Sequence, residues 1–335
     1  MNQDPVTVER IDWPKALPGL HLLQALRLGF RVRVLLPAII GAMCWLLTAS
    51  VLHSPAIDQN MPPGITSLRS PVFHGAATAT MLLMNSQPEL FTKLLLSLLL
   101  DLAVIAVVGT AIARVTASEF CTATRVGTVA AFRFSFRSTF GWLLSTALAL
   151  AIVAAPLTAI KLAGWLISLG TAGSAMVSIL WPIVYLMAVL ASIAATVCGL
   201  AWLLSLAAIG TDQCSGSDAL SRGINYVLSH KWKSVVYLTL VVLVSQAAYV
   251  IAHGLLKAGQ AILQNRVAEE YLMAPGLAGD GFNQTSLFYW SEIIYLIPDA
   301  VHLGTFLTGI TLAYILLRKA EDAVQIREMD GANSL

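Results

Sequence analysis

Charge is what this sequence lacks. Only 11% of its 335 residues are Asp, Glu, Lys or Arg, against 57% hydrophobic, and the mean hydropathy is +0.77. A soluble domain carries about 25% charged residues because its surface must face water. A compact soluble fold of this length could not hide so much apolar surface, so lipid is the expected solvent. Metal-binding spacing is also missing. Cys44, Cys121, Cys198 and Cys214 form no CxxC pair and no Cys/His metal pattern, so no metal, cofactor or disulfide framework is expected. Met1 to Gly19 lacks the basic, apolar and small-residue order of a cleaved signal peptide, so insertion is expected to rest on the first hydrophobic helix. No Gly-rich phosphate loop, HExxH or GxSxG occurs. Ser221 and His230 have no third partner nearby, which argues against a hydrolase. No catalytic residue is expected.

What is present is a series of apolar runs. A helix needs about 20 apolar residues to cross the hydrocarbon layer. The runs predict an all-α polytopic transmembrane bundle with about six spans, near 34–53, 94–113, 140–160, 179–209, 234–256 and 293–317. The fourth run is too long for a perpendicular helix and predicts a tilted or projecting one. The stretch from Leu162 to Val177 is apolar but holds Gly164, Gly170 and Gly173, and reads as a short outer hairpin, re-entrant or not. Two long outer loops are expected, from Ser54 to Phe91 and from Lys257 to Trp290. Within the second, Ala261–Tyr271 suits a short helix, and Asn283-Gln-Thr285 matches a common glycosylation tripeptide of little weight.

The basic residues set an orientation. Arg10, Lys15, Arg27, Arg31, Arg33, Arg114, Arg125, Arg133, Arg137, Arg222, Lys231, Lys233, Arg318, Lys319 and Arg327 all fall on one side of the six spans. Arg69, Lys93, Lys161, Lys257 and Arg266 fall on the other. The positive-inside rule makes the richer side cytoplasmic and puts both termini there. Residues 1–33 then form a cytoplasmic segment, 34–317 the membrane domain and 318–335 a cytoplasmic tail.

A repeat is also visible. Ala25-Leu-Arg-Leu-Gly-Phe-Arg31 precedes span one, Ala131-Phe-Arg-Phe-Ser-Phe-Arg137 precedes span three, and Ala219-Leu-Ser-Arg222 precedes span five. The suggested unit is a basic amphipathic interfacial helix, a span, an outer loop and a span, used three times. Arg27, Arg31, Arg133, Arg137 and Arg222 are the candidate contacts to anionic lipid headgroups. The alternation of arginine and phenylalanine in residues 125–137 could suggest nucleic acid, but beside membrane spans it fits an interfacial helix better. No nucleic-acid partner is expected.

Polar residues inside the runs need an explanation, since each costs about 2.5–3.5 kcal/mol on insertion scales. Asp101 lies in span two. Glu292, Tyr295, Asp299 and His302 recur at helical spacing in span six, and Gln246, Tyr249, His253 and Lys257 do so in span five. The two stripes could meet around Pro298, whose ring frees a backbone carbonyl. One reading is a proton, ion or solute site centred on Asp101, Asp299 and His302. The bland reading, favoured here, is hydrogen bonding that fixes helix packing. Ala188, Ala191, Ser192, Ala195, Thr196 and Gly199 in span four, and Gly309 and Ala313 in span six, allow close helix contact within the bundle or between subunits.

Several short segments resemble a family of uncharacterised bacterial polytopic membrane proteins. They are Ala113-Arg114, Asp218-Ala-Leu-Ser-Arg222 with Tyr226-Val227 and Trp232, and Tyr314-Ile-Leu-Leu-Arg318 with Asp322. The resemblance covers the C-terminal two thirds. The chain departs from it at Lys231-Trp232, where the family often has Pro-Trp. It implies a six-span protein of the bacterial inner membrane and no substrate, cofactor or catalytic residue. Read from the residues themselves, Asp218 suits a helix N-cap, and Arg222 suits either a lipid phosphate or an ion pair with Asp218 at i,i+4. The expected function is a non-enzymatic scaffold or accessory subunit holding membrane lipids and other membrane proteins, or further copies of itself. The alternative is a small-solute or ion transporter using the stripes of spans five and six.

Overall fold

Long apolar runs leave the backbone one way to satisfy its amides in lipid, which is within a helix. The computed structural model describes residues 18–52, 88–122, 124–272 and 281–322, and among these the regular structure is all helical. A short 3-10 turn, Pro18–Leu23, leads into α1 (Gln24–Gly29) and α2 (Val32–Leu52). Next come α3 (Pro88–Ala117), which closes on a π turn at Ser118–Thr122, and α4 (Thr128–Arg137). The helices α5 (Thr139–Ser168), α6 (Thr171–Asp212), α7 (Gly216–Ser229), α8 (Lys231–Leu272) and α9 (Gly281–Asp322) complete the order. Among the described residues five helices are long and apolar enough to cross a membrane, and the bent pair Gly19–Gly29 with Val32–Thr48 makes a sixth candidate. The chain is thus a multi-pass membrane protein by helix length and apolarity. The short helices α1, α4 and α7 each precede a pair of long ones, as the repeat predicted.

One expectation is sharpened and one is corrected. The stretch from Leu162 to Val177 is a hairpin, as read, and a helical one. Helix α5 continues to Ser168 and α6 begins at Thr171, so the reversal is confined to two residues. Gly170 makes it with a φ of 94°, and a Cβ on Gly173 would stand 1.9 Å from the Leu166 carbonyl oxygen. The other glycine, Gly164, stays helical. The outer loop expected from Lys257 to Trp290 is mostly helix as well, because α8 runs on to Leu272 and α9 starts at Gly281. Residues 257–272 are polar yet rich in Ala, Gln, Leu and Glu, all good helix formers. Loss of apolarity there ends the span and leaves the helix intact. Of the loop expected from Ser54 to Phe91, residues 54–87 lie outside the described residues and Pro88 already opens α3; the turn at 275–280 and the basic residues Arg10, Lys15, Arg69 and Arg327 lie outside them too.

The core is built round α9, which packs against α1, α2, α3, α6, α7 and α8. Its membrane segment is buried along its full length, whereas the apolar windows of α5 and α6 are each only 11% buried. Helix α1 and the 3-10 turn before it pack on α9, with Leu22 of the turn and Ala25 and Leu28 of the helix buried. At Gly29 the two backbones nearly touch: a Cβ there would lie 2.9 Å from Thr305 Cα. Hydroxyl pairs tie neighbours together. Thr110 meets Ser135 at 2.6 Å between α3 and α4, and Ser145 meets Ser205 at 2.6 Å between α5 and α6. The Trp202 indole donates to Thr146 Oγ1 at 2.9 Å. Such contacts contribute about 0.6 kcal/mol each in membranes, so they select a register more than they stabilise the bundle.

Candidate functional site

The polar stripes of α8 and α9 do meet. Helical spacing puts Gln246, Tyr249 and His253 on one face of α8, and α9 lies along that face. Gln246 Nε2 is 3.3 Å from His302 Nε2. The Tyr249 ring meets the His302 ring edge-on at 5.8 Å and stacks on His253 at 5.5 Å. Asp299 sits one turn before His302, next to Pro298, and Asp101 lies in α3, which packs on α9. Asp101, Asp299 and His302 are 2%, 7% and 1% exposed, so the polar centre is sealed from the surface. The side chains of Glu292 and Tyr295 lie outside the described residues. An imidazole, an amide and a phenol in contact can exchange hydrogen bonds and orient one another. They hold α8 and α9 in one register.

The arginine-rich end carries a second cluster that sequence reasoning missed. Asp212 closes α6 with its carboxylate 5% exposed. It accepts from Tyr314 Oη at 2.7 Å, from Arg222 Nη1 at 3.2 Å and from Arg318 Nη1. Arg222 also pairs with Asp218 at 3.0 Å, the i,i+4 contact expected of it. The Tyr226 and Tyr314 rings stand 5.7 Å apart beside the cluster. Arg222, Tyr314 and Arg318 thus converge on one carboxylate and join α6, α7 and α9. Asp212 itself offered no signal, since Arg318 and Tyr314 lie 106 and 102 residues away along the chain. Next to it, burial and then the Asp212 charge push the Cys214 thiol up to about 11.

Asp218 is not the N-cap of α7. Ser215 takes that place and accepts from the Asp218 amide at 3.3 Å, because its extended backbone directs the hydroxyl over the first turn. His230 does have an acidic partner: its Nε2 lies 2.8 Å from Glu321, at the last turn of α9. That carboxylate is far along the chain and ties the α7–α8 corner to α9.

The five candidate headgroup arginines fall into three settings. Arg133 and Arg137 are exposed on α4, whose Ala131 and Ser135 face inward. Arg222 is committed to Asp212 and Asp218. Arg27 and Arg31 line one cleft, and Arg31 pairs there with Glu119 of the π turn. The small residues also divide. Gly309 packs on Val241, and Ala191 and Ala313 are buried, but Ser192, Thr196 and Gly199 of α6 face outward. No protein-family model, curated protein or solved structure matches the chain.

Proposed function

We propose that this chain is a non-catalytic membrane scaffold that holds lipid and docks another integral membrane protein against its α5–α6 hairpin. One observation supports this most: Asp101, Asp299 and His302 are buried in the bundle, while the hairpin leaves Tyr185, Leu186, Val189, Leu190 and Ile193 exposed. Ser192, Thr196 and Gly199 share that outward region, and nothing lies within 4 Å of a Cβ built on Gly199. Small residues let a second helix approach closely, which lipid tails alone do not require. At about 1.5 Å per residue α6 is about 63 Å long, twice the hydrocarbon thickness of about 30 Å, so it offers a long flank to a partner. The arginine-rich end faces the cytoplasm in this reading.

The test is a photoreactive residue at Leu186 or Ile193 in native membranes. A discrete protein–protein adduct of one mass is expected from both positions. Adducts to lipid alone would contradict the scaffold reading.

A second reading, transport of a small solute or ion, draws on the burial of Asp101, Asp299 and His302 together in the core. It requires water to reach Asp299. Loss of solute handling in a folded Asp299→Asn, His302→Gln variant would favour it over the scaffold.

A further inference from the structure

We infer that the cleft between α1 and the π turn after α3 binds the phosphodiester headgroup of an anionic phospholipid. This rests on the reading of the chain as a lipid-holding membrane scaffold and names the lipid class. The cleft has a volume of about 410 Å³ and is lined by His21, Gln24, Arg27, Leu28, Arg31, Glu119 and Phe120. Sites for small molecules span about 300–1,000 Å³, so a headgroup fits.

Its position suits a lipid. Helix α1 bends 75° from α2 at the arginine-rich end of the bundle. A helix that turns sharply out of a span, with arginine and leucine on it, lies at the level of the headgroups. Its chemistry suits a phosphodiester. Arg27 and Arg31 bring two positive charges against the single carboxylate of Glu119, leaving an excess of one, which matches a phosphodiester monoanion. Arginine presents a planar fork that meets phosphate oxygens two at a time. Gln24 adds an amide donor, while Leu28 and Phe120 give an apolar wall for the glycerol.

The walls are held before any ligand arrives. The His21 ring stands edge-on to Phe120 at 5.8 Å, and Gln24 Nε2 is 3.5 Å from His21 Nδ1. Leu22 and Ala25, which do not line the cleft, anchor the segment in the core. Glu119, 6% exposed, holds Arg31 in place by an ion pair and occupies the fork that a phosphate would otherwise take. The carboxylate is thus a competitor as well as a support. Arg27 has no ion-pair partner among the described residues and is exposed at the cleft.

The test uses the full chain purified in mild detergent, with dioleoylphosphatidylglycerol or dioleoylphosphatidylcholine added and retention read by native mass spectrometry. Phosphatidylglycerol is expected to stay bound in preference to phosphatidylcholine. Retention should fall about tenfold or more in Arg27→Gln, Arg31→Gln and rise in Glu119→Gln, since the competing anion is gone. The rise separates a ligand site from a structural latch, because loss of a latch only loosens the protein. Arg27→Lys, Arg31→Lys, which keeps the charge, should retain more lipid than the glutamine pair and covers the case in which that pair misfolds. Equal retention of the two lipids, or no change in any variant, overturns the proposal. Displacement of phosphatidylglycerol by millimolar inorganic phosphate would assign the cleft to a soluble ion and overturn the lipid. Adducts at Leu186 are read separately, so failure here leaves the scaffold reading standing and failure there leaves this one.

Discussion

Helix α9 and the α5–α6 hairpin invert the rule that holds in water. Helix α9 carries Asp299, His302, Thr305, Thr308 and Thr311 and is buried throughout its membrane segment. The hairpin is the more apolar of the two, and its windows are only 11% buried. In water the apolar pair would be inside. In lipid an apolar side chain gains little by burial against protein, whereas a polar one must find a partner, so the polar helix takes the centre. The consequence is that stability is concentrated in α9 and its contacts, and the hairpin is free to serve as a surface.

The contrast can be broken most severely at the Asp212 cluster. Asp212→Ala leaves Arg222 and Arg318 without the carboxylate they share, and a loss of about 3–5 kcal/mol is expected for breaking a buried pair. Unfolding in graded denaturing detergent should show it, and a change under 1 kcal/mol would mean that the cluster is solvated. Leu303→Ala, at a fully buried site on α9, should cost about 2–5 kcal/mol in the same assay, while Leu186→Ala on the bare face of α6 should stay within about 0.5 kcal/mol. Gly29→Ala forces a methyl against the Thr305 backbone and should cost about 1–3 kcal/mol by loosening α1. Gln246→Leu removes one interhelical contact to His302 and should cost only about 0.6 kcal/mol. The Cys214 thiol sharpens the local picture. Burial and then Asp212 disfavour the thiolate and raise its pKa to about 11, so labelling by a water-soluble maleimide should keep rising about tenfold per pH unit from pH 8 to 10. A plateau above pH 9 would mean an ordinary thiol.

The spans were legible because hydropathy depends only on the residues within one run. The meeting of Gln246 and Tyr249 with His302 was legible too, because helical spacing puts each set on one face and consecutive helices pack together. Loop lengths were not, since residues 257–272 lose apolarity without losing helix propensity. The hairpin at 162–177 was legible but its turning point was not: three glycines mark a weak helix, and only the fold decides which one turns. The Asp212 cluster was least legible. Its partners come from two other helices, α7 and α9, and no local pattern ties a carboxylate to cations 10 and 106 residues away.

The most direct measurement is labelling with a membrane-soluble carbene, mapped by mass spectrometry in purified proteoliposomes and again in native membranes. The account predicts heavy labelling of residues 176–193 in proteoliposomes, protection of the same residues in native membranes, and no labelling of residues 299–315 in either. Equal labelling of α6 in both settings, or labelling at Asp299 and His302, would contradict it.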